Sequence, residues 1–274
     1  MKKSVVSILG CGWLGLPLLR ALVSSGKHIV RGSSRDPETL SAITAAGAEA
    51  FRINLPEDDL PTGFLADCRW LIWTLPPRGR ALGEAAAGQY VDCLSKVSAW
   101  LSTPHRKQRF LLLSSTGVYG NATGATDEAA DKVATTASAR AMLEAETYLR
   151  QHARAQVDVL YLAGLVGPGR HPGRFFGGRD RPIPQADAPV NLVHQDDVIA
   201  AIRLVMAQDA PGSYNVCAAA HPPKGSYYKA AAERLGLAVA GTSPGGGDGK
   251  VITSDKLRSL GWTPRWDNLD LAAL

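Results

Sequence analysis

The chain begins with a glycine-rich turn between a strand and a helix, and this turn limits the folds it can adopt. An apolar run rich in β-branched residues at 5–9 predicts a first strand, and leucines available for burial from Leu16 onward predict a helix. Between them the sequence reads Gly10-Cys11-Gly12-Trp13-Leu14-Gly15, and a second apolar run follows at 28–30. Strand, Gly-x-Gly-x-x-Gly turn, helix and strand are typical of the opening unit of a dinucleotide-binding fold.

Each glycine of this turn has its own physical role. Gly10 allows a tight turn, Gly12 lets a diphosphate approach the backbone, and Gly15 lets the helix and the strand pack closely. The free amides and the positive end of the helix then hold the phosphates. The residues predicted to bind the cofactor here are Gly10, Gly12, Trp13, Leu14 and Gly15.

The end of the second strand decides which dinucleotide is favoured. An acidic residue there binds the ribose hydroxyls of NAD, whereas arginine accommodates the extra phosphate of NADP. Asp36 is the only acid near the expected spacing, but Asp36-Pro37-Glu38 is typical of a helix start with Asp36 as N-cap. We therefore predict NADP rather than NAD, in a phosphate pocket of Arg31, Ser34 and Arg35. The alternative is that these arginines are solvated at a strand end.

Strands and helices alternate along the chain, which predicts a doubly wound parallel sheet, a Rossmann-type α/β fold. The apolar run 69–75 is interpreted as a buried strand, and ligands of such sheets lie beyond the carboxyl ends of the strands. Thr74, Leu75 and Pro76 are therefore expected to contact the cofactor. Amphipathic helices are predicted over Glu84–Leu101 and Ser138–His152.

The amino-acid composition changes after residue 163, where glycine, proline and basic residues become frequent. We predict that residues 1–163, with about 191–217, form the nucleotide-binding domain. Residues 164–190 and 218–274 are then a small C-terminal substrate-binding subdomain.

Composition narrows the function classes. The 274 residues carry a formal charge of +5 without a long Lys/Arg block, so nucleic acid is a poor partner and an anionic small molecule a better one. The four cysteines and six histidines are dispersed, which predicts buried free thiols in a reducing compartment and no metal site.

Met1-Lys2-Lys3 imitates a secretory signal, but the apolar stretch behind it contains the glycine turn. We expect a cytoplasmic protein without a membrane span.

Several motifs, in order and over nearly the whole chain, resemble the extended short-chain dehydrogenase/reductase family, the NAD-dependent epimerase/dehydratase group, and most closely its atypical YeeZ-like branch. These motifs are the glycine turn, Ser114-Ser115-Thr116-Gly117-Val118-Tyr119-Gly120, Gly167-Pro168-Gly169-Arg170, Val193-His194-Gln195-Asp196-Asp197, Tyr214-Asn215-Val216 and the tail from Ser254 to Pro264. The resemblance implies a Rossmann domain, a small substrate domain, a nicotinamide cofactor and, often, a nucleotide-sugar substrate.

Chemistry in that family uses a Ser/Thr, a Tyr and a Lys. By position the Ser/Thr corresponds to Ser115, four residues before Tyr119, and Ser114 before it is predicted to contact the cofactor. The Tyr-x-x-x-Lys positions hold Ser138 and Met142, so the usual base is missing. The Arg and Asn that the family often has are likewise replaced, by Tyr161 and Gly164.

Two functions follow from this pattern. The first is an NADP-dependent, epimerase-like oxidoreductase in which Ser115 and Thr116 orient the substrate and a Tyr or His from the second domain moves the proton, with Tyr119 and Tyr161 as the candidate phenols. The second is a binding module that keeps the dinucleotide, has lost redox chemistry and reports the nicotinamide pool to a protein partner. The helices 84–101 and 138–152 match those through which relatives dimerise, so a homodimer is expected.

A pocket for an anionic substrate is predicted in the second domain, because arginine forks suit phosphate and carboxylate. Alternatives are open for several members: the arginines as a solvated loop, His194 as a buried structural histidine, and Tyr119 as a packing residue. The predicted substrate residues are Arg170, His171, Arg174, Asn191 and His194.

Overall fold

The computed structural model describes residues 3–102 and 108–271. It divides into two compact units: unit 1 comprises Met1–Val118, Ala134–Leu160 and Asp209–Ser213, and unit 2 comprises Tyr119–Val133, Tyr161–Gln208 and Tyr214–Leu274. Of the residues predicted for the nucleotide-binding domain, the segments 119–133, 161–163, 191–208 and 214–217 lie in unit 2.

Eleven strands are found in the described residues: β1 Ser4–Leu9, β2 His28–Ser34, β3 Glu49–Arg52, β4 Cys68–Trp73, β5 Arg109–Ser115, β6 Gly124–Thr126, β7 Gln156–Leu162, β8 Gly164–Val166, β9 Leu192–His194, β10 Ser213–Val216 and β11 Lys250–Ile252. The α-helices of the same residues are α1 Gly15–Ser24, α2 Pro37–Ala45, α3 Gly79–Leu82, α4 Ala86–Ser95, α5 Ser98–Ser102, α6 Ala137–His152, α7 Gln195–Gln208, α8 Lys224–Glu233 and α9 Asp255–Ser259.

The main sheet has seven strands in the order β3-β2-β1-β4-β5-β7-β10, and the neighbours from β3 to β5 pair in parallel. β2 and β3 follow on one side of β1, and β4 lies on its other side. The strand order therefore reverses between β1 and β4. Ligands of open α/β sheets bind beyond the carboxyl ends of the strands at such a reversal. The predicted Rossmann-type fold is confirmed, and it places Gly10 and Thr74 at this point.

The interior of unit 1 is built on wide apolar side chains of the central strands. Trp70, Trp73 and Phe110 are almost fully buried, and the indole N–H of Trp73 donates to the hydroxyl of Tyr90 on α4 at 2.9 Å. This bond removes the one polar cost of burying the indole. It also fixes α4 against β4.

The prediction of one continuous helix over 84–101 is wrong. The structure has a 3-10 turn at 83–85, then α4 and α5 with a break at Lys96 and Val97. The hydroxyl of Ser95 donates back to the carbonyl of Asp92, and the Val97 amide bonds to Leu94 in a tighter, i−3 turn. Such local bonds compete with the helical ladder, while the apolar face stays buried across the break.

Unit 2 has its own apolar core beside two small sheets, β11-β6 and β8-β9. Its largest members include Phe176, Ile183, Val190, Tyr227 and Tyr228. The carboxylate of buried Asp197 accepts from the amides of 265 and 266, and thereby fixes the tail to α7.

None of the helices in residues 3–102 and 108–271 has both the length and the apolar composition of a membrane span. All four cysteines are free and buried, as predicted. Burial raises the pKa of the Cys11 thiol to about 12, so this side chain in the glycine turn stays protonated.

Candidate cofactor and substrate site

The glycine turn has the geometry that its sequence predicts. Gly10 has a φ of 98°, a left-handed conformation that favours glycine. A β-carbon on Gly15 would clash with the carbonyl oxygen of Gly10, so the helix approaches the strand end through a residue without a side chain. Backbone bonds from Cys11 to the Ser33 carbonyl, and from Gly10 to the Ser33 hydroxyl, attach the turn to β2.

Gly12 differs from both of its partners. It lies outside the left-handed region, and a β-carbon built on it would meet none of the described atoms within 4 Å. The space in front of this residue is therefore open, and only the missing side chain keeps it so. The amides of Gly10, Cys11 and Gly12 are bonded within the protein, so a diphosphate in this space would be held at the start of α1. The residues present thus suit a dinucleotide.

The end of β4 supports the turn from the other side. The hydroxyl of Thr74 donates to the carbonyls of Leu9 and Gly10, and its amide bonds to Leu9 at 3.0 Å. The side chain of Leu75 occupies the space that a Gly10 side chain would need, and its carbonyl accepts from the Tyr90 hydroxyl at 2.9 Å. Thr74 and Leu75 therefore position the turn, while Pro76 beyond them is exposed.

The end of β2 separates the three residues of the predicted phosphate pocket. Asp36 is the N-cap of α2, as predicted, and accepts from the Thr39 amide at 2.9 Å. Arg31 donates to the Glu49 carboxylate at 2.9 Å and to the carbonyl of Ala66 at 2.6 Å. Because side chains alternate along a strand, Arg31 and Ser34 lie on opposite faces of β2.

Those contacts give Arg31 a structural role, and the structure does not bring it together with Ser34 and Arg35. Arg35 is exposed, and within the described part of the chain it has no ion-pair partner. Ser34 accepts from the Asp36 amide at 3.1 Å. Two of the three predicted residues thus remain at the strand end.

Three predicted hydroxyls stand at the end of β5, in different surroundings. Ser114 is buried and donates to the carboxylate of Glu146 on α6 at 3.2 Å, so its hydroxyl is directed into the protein. Ser115 is half-buried, and its oxygen accepts from the Gly117 amide at 3.0 Å. Because that bond uses a lone pair, the Ser115 proton remains available to a ligand. Thr116 is buried beside it.

Comparison with known proteins agrees with this geometry. Residues 10–164 match the NAD(P)H-binding family. The sequence is 39% identical over 266 residues to protein YeeZ of Escherichia coli strain K12, covering 94% of this chain and 93% of that protein. The chain belongs to the NAD(P)H-binding family and is a YeeZ homologue.

Solved structures show the same fold at low sequence identity. UDP-glucuronic acid 4-epimerase from Bacillus cereus, in complex with NAD, has a TM-score of 0.75 and 14% identity, covering 96% of this chain and 93% of that one. A short-chain dehydrogenase/reductase superfamily protein from Agrobacterium tumefaciens with bound NAD has a TM-score of 0.73 and 16% identity, covering 98% and 96%. Both show that the predicted epimerase/reductase fold is correct.

In this NAD(P)H-binding protein the position that the resemblance assigns to the tyrosine is tightly packed. Ser138 lies in the first turn of α6, and a β-carbon on Gly79 would clash with its amide nitrogen and its hydroxyl. An ion pair at 2.6 Å between Arg140 and Glu84 also joins α6 to the 3-10 turn at 83–85. Nothing in the sequence pattern signalled this contact, because Gly79 follows an unremarkable proline-rich stretch.

Tyr119 is almost fully buried in unit 2. Its hydroxyl donates to the side-chain oxygen of Asn215 at 2.7 Å, and its ring lies 5.6 Å from that of Tyr161. The ammonium of Lys132 stands 5.6 Å and 5.1 Å from these two rings. These contacts fit the packing role considered for Tyr119.

The five predicted substrate residues do not form one group. Asn191 donates to the Lys250 carbonyl and accepts from the Ile252 amide, both at 2.9 Å, so its amide joins β11 to the rest of unit 2. His194 is buried, its ring packs on Trp266 at 4.6 Å, and Nδ1 accepts from the Asp196 amide. Burial lowers the pKa of His194. Both residues are explained structurally.

Of the basic members, Arg170 and His171 lie just before the short 3-10 helix at 172–175, and Arg174 lies within it. His171 caps this helix by accepting from the Gly173 amide at 3.1 Å, and burial together with Arg174 and Arg234 lowers its pKa. The Arg170 amide closes a turn onto Gly167. His171 and Arg174 are therefore near each other, and Arg234 is a neighbour that the sequence pattern did not indicate.

Proposed function

We propose that the protein is a cytoplasmic, NADP-dependent oxidoreductase of the epimerase/dehydratase kind, which acts on an anionic small molecule. The open space in front of Gly12 carries the proposal. Neither packing against the described residues nor a left-handed backbone requires a glycine at this position, so a ligand in that space explains it. The nicotinamide, when bound, supplies a hydride donor or acceptor. The remaining chemistry has to come from side chains of the protein.

The preference for NADP rests on the end of β2. Asp36 is occupied as a helix cap, so its carboxylate is not free to bind a ribose as in NAD-specific folds. Arg35 is exposed and forms no ion pair with any residue that the structure describes, and the hydroxyl of Ser34 precedes it. We infer that these two residues would hold the additional phosphate of NADP.

Within unit 1, Ser115 is the residue best suited to contact a reacting oxygen. Its own oxygen is fixed by the Gly117 amide, which leaves the hydroxyl hydrogen for a substrate carbonyl or hydroxyl. Thr116 and Ser114 are buried behind it and support the strand end. An anionic sugar, such as a nucleotide-linked one, is the substrate class that we propose, in line with the UDP-glucuronic acid named for the Bacillus cereus epimerase.

Titration calorimetry with the purified full chain tests the coenzyme part of this proposal. We expect NADPH to bind more tightly than NADH, and Arg35→Ala to reduce that difference by about tenfold, the usual effect of one charge-assisted contact. Arg20→Ala, an exposed arginine on α1, is the matched control. Equal affinities for both coenzymes in the unaltered protein would remove the phosphate pocket, and no binding of either would remove the whole proposal.

A second candidate function is a module that binds the dinucleotide without redox chemistry. The packing of Gly79 on Ser138 favours it, and so does the Tyr119 hydroxyl bound to Asn215, because neither site offers a free phenol. The two functions differ in the absorbance of the bound coenzyme. An enzyme oxidises or reduces it when anionic sugar nucleotides are added, and loses this with Ser115→Ala. A module leaves it unchanged across the same compounds.

A further inference from the structure

Two cations of unit 2 converge on one aromatic ring. The guanidinium carbon of Arg181 lies 5.2 Å from the centroid of the Phe176 ring, and the Lys224 ammonium lies 5.7 Å from the same centroid. Phe176 is buried, and its ring also packs against Tyr228 at 5.1 Å, so its position is fixed by the core of unit 2. The ring therefore holds the two positive charges close to each other.

This arrangement leaves positive charge uncompensated. Lys224 is half-buried, and its pKa is lowered first by burial and then by the charge of Arg181. Among residues 3–102 and 108–271, neither cation forms an ion pair with a carboxylate. Two like charges near a low-dielectric interior repel each other, and an anion between them reverses the sign of that interaction.

The backbone around Lys224 does not offer a competing site. Lys224 begins α8, but its amide bonds to the Ala188 carbonyl at 2.9 Å, and the Gly225 amide bonds to Ala186 at 2.8 Å. A ligand would therefore be held by the two side chains rather than by the helix end. An arginine fork and a lysine point charge together suit a tetrahedral phosphate group with several oxygens.

We propose that Arg181 and Lys224, placed on the ring of Phe176, form a subsite for a phosphate or diphosphate group. As part of a substrate site this inference rests on the proposed function, whereas the binding of the anion rests on unit 2 alone. The group could come from a phosphorylated substrate or from free inorganic phosphate species, and the same two side chains would hold either.

Calorimetry without coenzyme tests the subsite, with inorganic pyrophosphate and UDP as separate ligands for the full chain. Lys224→Met and Arg181→Met keep the apolar stems on Phe176 and remove the charges. We expect each substitution to lower the affinity for both ligands about ten- to hundredfold. The matched controls are Lys229→Met, exposed on the same helix, and Arg203→Met on α7, which we expect to change the affinity by less than about twofold.

The outcomes separate the possibilities. Tighter binding of UDP than of pyrophosphate indicates a nucleotide substrate, and equal binding indicates recognition of the phosphate groups alone; both support the subsite. Lys224→Arg should retain binding, since it keeps the charge. The inference fails if neither ligand binds, or if the control variants lose as much affinity as Lys224→Met. Loss of coenzyme binding with intact pyrophosphate binding would overturn the proposed function and leave the subsite standing.

Discussion

Gly12 and Gly15 belong to one turn, yet the structure predicts that the same substitution changes the stability of the fold at Gly15 alone. Gly12→Ala places a methyl group in open space at a backbone conformation that alanine adopts, so the folded protein should keep its stability within about 0.5 kcal/mol. That methyl group would stand where we place the diphosphate. We expect the affinity for NADPH to fall at least about tenfold, which corresponds to about 1.4 kcal/mol.

Gly15→Ala should lower the stability of the fold as well as the affinity for NADPH, because it displaces the turn itself. Its β-carbon would clash with the carbonyl oxygen and carbon of Gly10, and also approach the Thr74 hydroxyl. The clash involves backbone, which cannot rotate away, so we expect the typical overpacking cost of about 1–3 kcal/mol. In a chain of this size that corresponds to a fall of several degrees in the unfolding temperature.

Thermal unfolding and calorimetry on the two variants together give the test. Stability should fall in Gly15→Ala and stay unchanged in Gly12→Ala, whereas NADPH affinity should fall in both. If Gly12→Ala binds NADPH as the unaltered protein does, the open space is not the diphosphate site. If Gly15→Ala is as stable as the unaltered protein, the close approach of α1 to β1 is not tight, and our explanation of the third glycine fails.

Three further predictions concern Thr74 beside the glycine turn, Asp36 after β2, and the paired positions Ser138 and Met142 on α6. Thr74→Val keeps the shape of the side chain but loses the hydrogen bond to the Gly10 carbonyl; NADPH affinity should fall about three- to tenfold in calorimetry, as expected for one neutral hydrogen bond. Asp36→Ala should lower the unfolding temperature without changing the ratio of NADH to NADPH affinity. The Thr39 bonds lower the pKa of Asp36, so its stabilisation is present above the unfolded value of about 3.9 and is lost as pH falls below it, a loss that scans in acid would show. Ser138→Tyr combined with Met142→Lys should gain no turnover and should unfold at lower temperature, because Gly79 packs on Ser138; a gain in coenzyme oxidation would contradict this.

The parts of the site that sequence predicts well are those determined by neighbours in the chain. The three glycine roles depend on a turn of six residues, and the Asp36 cap depends on a bond to Thr39 three residues later. Backbone conformation and capping chemistry decide both locally. The alternation of strands and helices likewise predicts the Rossmann-type sheet that the structure shows.

The parts that sequence predicts poorly depend on distant partners. Arg31 is occupied by Glu49, eighteen positions along the chain, and Asn191 by the backbone of β11, about sixty positions away. Neither partner is marked by a motif, so a polar residue near a cleft and a polar residue that joins two strands look the same in the sequence. Lys224 and Arg181 were missed for the same reason, because only the fold brings them to Phe176.

On the proposed function, the hydrogen bonding of the Ser115 hydroxyl limits the part that this residue can take in proton transfer. A serine hydroxyl without an adjacent base is a poor proton acceptor at neutral pH, but it is an effective hydrogen-bond donor. The Gly117 amide occupies one lone pair of Ser115, so the hydroxyl hydrogen is available for donation toward a ligand. A donor of this kind stabilises negative charge that develops on a carbonyl oxygen, whereas removal of a proton from an alcohol requires a base. The hydroxyl at the end of β5 therefore suits orientation and polarisation of a substrate carbonyl or hydroxyl, and the proton that accompanies hydride transfer in either direction has to be carried by another group.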